Sequence, residues 1–404
     1  MNSFNLKKYK SEISKCVKCG TCTSICPVYR ETLQESVSAR GKMSLIEAFL
    51  EGEIGASSIL DKRLRQCVQC TKCIEECPNG IPVDIILFSA WRALKEKLPT
   101  PLWKNFAFEK ALSGAGIPAA AGFLYRNFGG LSAILPVEAL KRKVSRRKPL
   151  KFKTTKLNSG KKIGFYPGCM IDSMYPEILS YVREIFARLG YEMIIPSRLV
   201  CCGLPQMSTG NVELARRNAL VNMNAFKDAK VDVIITACAT CLSTVRKKYP
   251  LLLEDTPALK VYEKFMDLSE FLAGEKGLEN FPEAEGKFTY HDPCHLAREL
   301  KIKEEPREII KKISAGNFAE ADSSELCCGF GGSFNFENYS LSMNICSHLV
   351  KALKDTGAET VITSCPACMW QIEDGISRSN SGMNVMHLAE FVLRGALNAD
   401  TDKR

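Results

Sequence analysis

Cysteine is the residue type that sets this 404-residue chain apart, because it occurs nineteen times and in a repeated order. Two adjacent pairs, each followed by glycine, lie at Cys201-Cys202 and Cys327-Cys328. A single cysteine precedes each pair and a C-x2-C pair follows it. A disulfide between adjacent cysteines closes a strained ring, so it is disfavoured. Thiolates that converge from distant loops are the ligands that a soft metal or an iron-sulfur cluster requires.

The two copies supply five thiols each, and corresponding cysteines lie 125 to 127 positions apart. The repeat 1 set is Cys169, Cys201, Cys202, Cys238 and Cys241. The repeat 2 set is Cys294, Cys327, Cys328, Cys365 and Cys368. The spacing therefore predicts one metal or cluster site in each copy.

Eight further cysteines form two C-x2-C-x2-C-x3-C-P runs in the first 77 residues, the spacing of bacterial two-cluster ferredoxins. In such runs three cysteines hold one cubane and the fourth, before proline, reaches the other. Structural zinc sites use C-x2-C pairs and do not match this triple spacing. We predict two [4Fe-4S] cubanes, bound by a first ferredoxin group (Cys16, Cys19, Cys22 and Cys77) and a second ferredoxin group (Cys67, Cys70, Cys73 and Cys26).

The elements around these cysteines predict a multidomain chain. Apolar residues at helical spacing make residues 1–97 an expected α-helical ferredoxin domain. Residues 98–160 contain prolines and no cysteine, which is typical of a connector. Strands alternate with helices in residues 161–282 and again in 283–404, including a strand at 231–236 and a helix at 306–314. This order predicts two α/β lobes related by a pseudo-twofold axis, with the cysteines at strand ends.

Charge and hydropathy limit the setting in which the chain works. The N-terminal residues lack the apolar core of a signal peptide, which favours a cytoplasmic location and metal ligation over disulfides. No stretch reaches the roughly 18 apolar residues of a membrane span. The net charge is +10, and residues 141–156 hold nine Lys or Arg and no acid. This run is a solvated linker or a contact for an acidic partner or an anionic membrane surface. No nucleic-acid-binding module accompanies it, so nucleic acid is not expected.

The five-cysteine pattern resembles the cysteine-rich CCG domain. Two ferredoxin runs followed by two CCG domains resemble one layout along the whole chain. The iron-sulfur subunits of glycolate oxidase, of anaerobic glycerol-3-phosphate dehydrogenase and of heterodisulfide reductase share it. The resemblance implies a noncubane [4Fe-4S] cluster in each five-cysteine set. It also implies an FAD-linked dehydrogenase partner, with a membrane quinone or haem protein as a further partner on the inner face of the membrane.

Two functions stay open. The chain is expected either to relay electrons from a glycolate- or lactate-type dehydrogenase to a quinone, or to cleave a disulfide itself. For the second function the candidate catalytic residues are Cys328, His291 and His295, since histidines beside a redox sulfur can supply protons. Histidines that only cap a loop are the alternative. The turn at 329–332 lacks G-x-G-x-x-G, so a nucleotide site is not expected, and its glycines are expected to let the backbone approach the cluster closely.

Overall fold

The computed structural model of the chain describes residues 2–99, 162–275 and 278–401. The described N-terminal region is helical, which confirms the predicted α-helical ferredoxin region. Short 3₁₀ turns lie at Asn2–Phe4, Leu6–Tyr9 and Glu35–Val37. The α-helices are α1 (Lys10–Ser14), α2 (Thr21–Ser24), α3 (Pro27–Thr32), α4 (Ala39–Glu51), α5 (Ser58–Arg65), α6 (Lys72–Glu75) and α7 (Val83–Lys95). From residue 100 onward the predicted connector lies outside the described residues, and so does the whole basic run.

Two long helices organise this region. Helix α4 begins where the Ser38 hydroxyl accepts a hydrogen bond from the Gly41 amide, and it ends at Gly52, whose φ of 80° is left-handed. Helix α7 is buried on almost every side. Its Trp91 lies so close to repeat 1 that a Cβ at Gly210 would be 2.5 Å from the Trp91 carbonyl oxygen. The helical region therefore packs directly against repeat 1.

Repeat 1 is built on a four-stranded parallel sheet with the order β2-β1-β3-β4. The strands are β1 (Lys162–Phe165), β2 (Glu192–Ile194), β3 (Ile234–Thr236) and β4 (Phe265–Asp267). The helices are α8 (Gly168–Ser173), α9 (Pro176–Arg188), α10 (Leu204–Ser208), α11 (Val212–Ala229), α12 (Ala239–Ser243), α13 (Tyr249–Leu252) and α14 (Leu268–Gly274). A π-helical turn at Thr244–Lys248 separates α12 from α13, and a 3₁₀ segment spans Pro257–Lys264.

Repeat 2 has a three-stranded parallel sheet with the order β5-β6-β7. Its strands are β5 (Phe288–His291), β6 (Thr360–Thr363) and β7 (Asn384–His387). Its helices are α15 (Glu304–Ile313), α16 (Ser333–Glu337), α17 (Tyr339–Asp355), α18 (Pro366–Ser379) and α19 (Leu388–Thr401). A 3₁₀ turn at Leu278–Asn280 precedes the sheet, and a π-helical turn at His295–Glu299 follows β5. The two parallel sheets confirm the predicted α/β lobes.

The two repeats differ at one sheet edge. Where repeat 1 has β2, repeat 2 has only a single parallel bridge between Phe318 and Phe288. Two predicted boundaries were also slightly wrong. The strand expected at 231–236 begins only at Ile234, and the helix expected at 306–314 is shifted toward its N-terminus by up to two residues. Pro306 lies in the first turn of that helix, where its missing N–H costs nothing.

One continuous apolar core joins the helical region to both repeats. Ile86 of α7, Val182 of α9 and Val361 of β6 are all fully buried members of it. The long amphipathic helices supply this core because each presents one apolar face to a sheet. The cysteine loops at the carboxyl ends of the strands are thereby held on a rigid framework.

Candidate metal centres

The first ferredoxin group surrounds an open cavity. Cys16 follows α1, Cys22 lies in α2 and Cys77 follows α6, so three short helices bring their thiols together. All four predicted ligands, including the exposed Cys19, line this cavity. The loop turns at Gly20, whose φ of 90° is left-handed and easy for glycine. Four thiols around one cavity, none of them in a disulfide, fit a cubane cluster.

The second ferredoxin group lies deeper in the protein. Cys26 precedes α3, and Pro27 occupies the first position of that helix. Burial raises the pKa of Cys26 to about 11, and the neighbouring Cys70 and Cys67 add to the rise. Burial likewise raises the pKa of Cys73, which interacts with Cys70, Cys67 and Cys26. Buried thiols ionise most readily around a cation, so this set also fits a cluster. Ligation by either group stays a prediction.

Lys42 is a residue of the second group that motif spacing does not reveal. It lies on α4, is 1% exposed, and donates hydrogen bonds to the carbonyl oxygens of Gln66, at 2.9 Å, and Val37. Burial lowers the pKa of Lys42, whereas the adjacent Cys67 raises it. Its place four residues before Ile46, on the buried face of α4, is the signal that could have found it. When it is protonated, Lys42 offsets part of the negative charge of the neighbouring thiolates.

The repeat 1 set gathers at the carboxyl ends of β1 and β3. Cys201 contacts Cys169 and Cys202, while Cys241 contacts Cys202 and Cys238. The five sulfurs therefore form one unbroken group. Hydrogen bonds from Cys201 and Cys241 lower the pKa of Cys202. The turns are close-packed, since a Cβ on Gly168 would lie 2.6 Å from the Cys241 sulfur.

Phenols and amides enclose the repeat 1 set. Tyr166 donates a hydrogen bond to the Val200 carbonyl oxygen at 2.6 Å. Asn222 of α11 donates to the Tyr166 and Tyr249 hydroxyls at 3.3 and 3.1 Å. Burial raises the pKa of both tyrosines, and the nearby cysteines raise it further. This closed network holds the backbone that leads into Cys201.

The repeat 2 set is arranged in the same order. The sulfurs of Cys328 and Cys368 lie 3.3 Å apart, and Cys294 contacts Cys327. Hydrogen bonds from Cys327 and Cys368 lower the pKa of Cys328. Cys365 also interacts with Cys368, so all five sulfurs again form one group. Five free thiols in one group, four of them buried, fit a cluster that is richer in thiolate than a cubane.

The two candidate catalytic histidines have different surroundings. His291 is 1% exposed, and its Nδ1 lies 3.1 Å from the Ser324 carbonyl oxygen. Burial lowers the pKa of His291, but the neighbouring Cys328, Asp292 and Cys294 together raise it above its ordinary value. His295 contacts Thr240 Oγ1 through Nδ1 at 3.1 Å and the Gln69 carbonyl oxygen through Nε2 at 3.2 Å. Both ring nitrogens of His295 are therefore engaged, and its catalytic role stays a prediction.

Contacts of repeat 2 reach both neighbouring regions. Cys327 contacts Cys70 of the second ferredoxin group. On the other side Cys365 contacts Cys238 of repeat 1, and Thr240 Oγ1 lies 3.5 Å from the Cys365 sulfur. The repeat 2 set therefore lies between the second ferredoxin group and the repeat 1 set.

The glycine turn of repeat 2, which was expected to let the backbone approach a cluster, instead packs against another loop. A Cβ on Gly331 would lie 2.7 Å from the Cα of Val68, which is in the loop between Cys67 and Cys70. The turn therefore admits the backbone of the ferredoxin loop. Arg298 closes the same interface by donating to the Cys70 carbonyl oxygen at 3.2 Å.

A buried ion network joins the three regions. Lys248 of repeat 1 pairs with Asp84 of α7 and, at 2.6 Å, with Glu299 of repeat 2. All three side chains are at most 15% exposed. No sequence motif marks these residues, because the network forms only when three distant segments meet. It fixes the mutual arrangement of the cysteine loops.

Comparison with known protein families decides what the chain is. Residues 12–81 match the 4Fe-4S dicluster domain, and residues 163–246 and 288–373 match the cysteine-rich domain CCG. The chain is a 4Fe-4S dicluster protein with two CCG domains. The resemblance drawn from its cysteine spacing is therefore confirmed. The dicluster domain also implies two cubane clusters in this iron-sulfur protein.

Known relatives of this iron-sulfur protein are distant. It is 28% identical to the probable glycolate oxidase iron-sulfur subunit of Bacillus subtilis, over 98% of this chain and 96% of that protein. It is also 28% identical to one of the subunits of the CoM/CoB fumarate reductase of Methanothermobacter marburgensis, over 93% of this chain and 71% of that protein. The crystal structure of a hypothetical protein from Helicobacter pylori matches 88% of this chain and 68% of that one, with a TM-score of 0.51 and 13% identity. That likeness concerns the fold alone.

No helix in the described ranges is long and apolar enough to cross a membrane.

Proposed function

We propose that this chain is the iron-sulfur relay subunit of an oxidoreductase complex. A separate FAD-linked subunit oxidises a 2-hydroxy acid of the glycolate or lactate type, and a quinone or another carrier accepts the electrons. The similarity to a glycolate oxidase iron-sulfur subunit over nearly both full lengths supports this choice. The proposed domains are residues 1–97, 161–282 and 283–404, with 98–160 as the connector. A cytoplasmic location, at the inner face of the membrane, belongs to the same proposal.

One observation carries the proposal: the four cysteine sets adjoin one another in a line. Cys73 of the second ferredoxin group lines the cavity of the first. Cys70 contacts Cys327 of repeat 2, and Cys365 of repeat 2 contacts Cys238 of repeat 1. Iron-sulfur clusters, when bound, supply one-electron transfer. A line of adjoining donor sets suits a relay.

The residues divide the work of the relay. The first ferredoxin group is the entry or exit point, because its cavity is open and Cys19 is exposed. His295 is a positioning residue, since it ties the loops of the second ferredoxin group and repeat 1 to repeat 2 through Gln69 and Thr240. The five thiols of each repeat hold a noncubane cluster. The basic run at 141–156 offers a contact for an acidic partner protein or an anionic membrane surface.

Disulfide cleavage at the repeat 2 set is the second candidate. The similarity to part of a CoM/CoB fumarate reductase and the intact C-x2-C pairs of both repeats favour it. In that case Cys328 would face the substrate, and His291 and His295 would supply protons. Against it, Cys327, Cys328, Cys365 and Cys368 are all buried. We therefore prefer the relay.

The deciding experiment uses the full chain, purified without oxygen. Iron is counted first, and about sixteen irons are expected if all four sites hold four-iron clusters. The chain is then mixed either with reduced viologen and a thiol disulfide, or with a co-expressed FAD-linked glycolate or lactate dehydrogenase and its hydroxy acid. Cluster reduction is followed by absorbance, and thiol release is measured in parallel.

A relay gives no thiol release by the chain alone. Its clusters become reduced by hydroxy acid only when the flavoprotein is present. Sustained disulfide turnover by the isolated chain would replace the relay with the second candidate. About eight irons, with zinc in the repeats, would remove the clusters from both repeats.

A further inference from the structure

The two repeats differ at the residue three positions before their first cysteine. Repeat 1 has Tyr166 before Cys169, and repeat 2 has His291 before Cys294. Both side chains are fully buried next to the adjacent cysteine pair. The Tyr166 hydroxyl is satisfied within the protein, because it donates to the Val200 carbonyl oxygen and accepts from Asn222. The imidazole of His291 is not satisfied in this way.

The tautomer of His291 follows from its single backbone contact. A carbonyl oxygen only accepts hydrogen bonds, so Nδ1, 3.1 Å from the Ser324 oxygen, must carry the proton. In the neutral ring Nε2 then carries a lone pair and no proton. Nε2 is buried and makes no hydrogen bond of ordinary geometry to the described residues, although the Cys328 thiol interacts with the ring. A thiol is only a weak donor, so burying this nitrogen stays costly unless a ligand takes its lone pair.

The lone pair faces the repeat 2 set. A ring nitrogen of His291 and the sulfurs of Cys328 and Cys368 all lie within 4.8 Å of one another, and all three residues are buried. Metal-binding histidines commonly donate their other ring N–H to a backbone carbonyl, which fixes the tautomer and aims the lone pair at the metal. The Ser324 contact has that form.

We propose that Nε2 of His291 is an iron ligand of the repeat 2 centre, beside Cys328 and Cys368, whereas the repeat 1 centre is ligated by thiolate alone. This inference rests on the proposed function, which assigns iron to both repeats. His291 is then an electron-pair donor and not a proton donor. Imidazole is a neutral ligand, so a centre that carries it has a higher reduction potential than the same centre with a thiolate at that position.

The test uses the anaerobically prepared full chain with its native complement of iron. Pulsed electron paramagnetic resonance is recorded with natural-abundance and with ¹⁵N-labelled histidine. We expect one strongly coupled imidazole nitrogen, lost in His291→Gln and retained in His295→Ala. His295 is the matched control because it lies beside the same cysteine. A coupling of only the weak, hydrogen-bonded kind, or one that survives in His291→Gln, would overturn the proposal.

A second variant is needed in two cases: His291→Gln does not fold, or the repeat 2 centre has no unpaired electron to give a resonance signal. His291→Cys keeps a soft ligand and should keep the iron. In an optical redox titration it should lower the midpoint potential of one centre and leave the others unchanged. An unshifted titration contradicts the imidazole ligand. Iron content separates this inference from the function on which it rests. About eight irons would contradict both the inference and the proposed function, whereas about sixteen irons without the nitrogen signal would contradict only the role of His291.

Discussion

Repeat 1 and repeat 2 carry the same five cysteines on parallel sheets, yet different residues surround their sulfurs. In repeat 1 the hydroxyls of Tyr166 and Tyr249 join Asn222 in a closed network. In repeat 2, His291 stands in the place of Tyr166, and Cys327 reaches Cys70 of the helical region. Duplicated donors thus do not make equal centres.

The missing strand of repeat 2 contributes to this difference. A single bridge at Phe318 replaces a strand, and the irregular segment that follows brings Ser324 against His291. Arg307 steadies the same segment by pairing with Asp292 at 2.7 Å and with Glu320 at 2.7 Å. The change in sheet edge therefore orients the imidazole.

The largest contrast is expected from removing one cysteine in each repeat. Cys328→Ala and Cys202→Ala should each lower the iron content by about four of about sixteen atoms, because each deletes a central ligand of one set. Iron analysis and absorbance spectra check this. The N-terminal cubanes should remain in both variants. Loss of all iron from either one would mean that the sites do not assemble independently.

The ion network predicts a large effect on stability. Lys248→Met leaves Asp84 and Glu299 buried without their cation and should cost about 3–5 kcal/mol. Gly375 stands at the corresponding position of repeat 2, seven residues after the last cysteine, so that repeat has no equivalent. Arg216→Met is the control, since its partner Asp255 is 53% exposed and stays solvated without the arginine. Equal urea midpoints for the two variants would contradict the network.

The helices that follow β4 and β7 begin with different caps, and only the cap in repeat 1 predicts an effect of pH on stability. Asp267 caps α14, and burial raises its pKa to about 7, above the ordinary value near 4. The folded state therefore binds this proton more tightly than the unfolded state does. The stabilisation that the bound proton supplies is complete below about pH 4 and is lost as the pH rises through about 7. The neutral His387 Nδ1 accepts from the Ala389 amide at the equivalent cap of repeat 2.

Asp267→Asn should remove about 2–4 kcal/mol of this pH dependence. The measurement compares urea midpoints of the two proteins at pH 5 and pH 8. The wild-type protein should lose more stability than the variant between these values. Parallel pH profiles would show that Asp267 titrates normally.

A smaller effect is expected at the contact between repeat 2 and the ferredoxin loop. Gly331→Ala places a methyl group 2.7 Å from the Val68 Cα and should cost about 1–3 kcal/mol. Gly332→Ala is the control, because Gly332 has a φ of +60° but its Cβ would meet nothing within 4 Å. Thermal inactivation separates collision from backbone strain. A control as harmful as Gly331→Ala would assign the cost to strain alone.

Much of the architecture could be predicted because short stretches of the sequence determine it. The cysteine runs indicate the helical ferredoxin region, and alternating apolar segments indicate the two parallel sheets. The crossing of Cys26 and Cys77 between the ferredoxin groups follows from the known geometry of such runs. The structure places both cysteines accordingly, although ligation itself is untested.

The remainder could not be predicted, because it depends on contacts between distant segments. Lys42 reaches its cysteines only after α4 packs, and Lys248 needs partners 164 and 51 positions away. The glycines of the 329–332 turn were expected to clear space at a cluster, but Gly331 clears space for Val68. Such roles depend on which distant segment packs against the residue, and the local sequence does not specify that.

The central claim is that repeat 2 lies between the ferredoxin groups and repeat 1. Rapid-freeze spectroscopy during reduction through the N-terminal cubanes tests it most directly, with wild type compared against Cys328→Ala. The account predicts that the repeat 1 centre is reduced promptly in the wild-type protein and stays oxidised over the same interval in the variant. Equally fast reduction of repeat 1 in Cys328→Ala would contradict it.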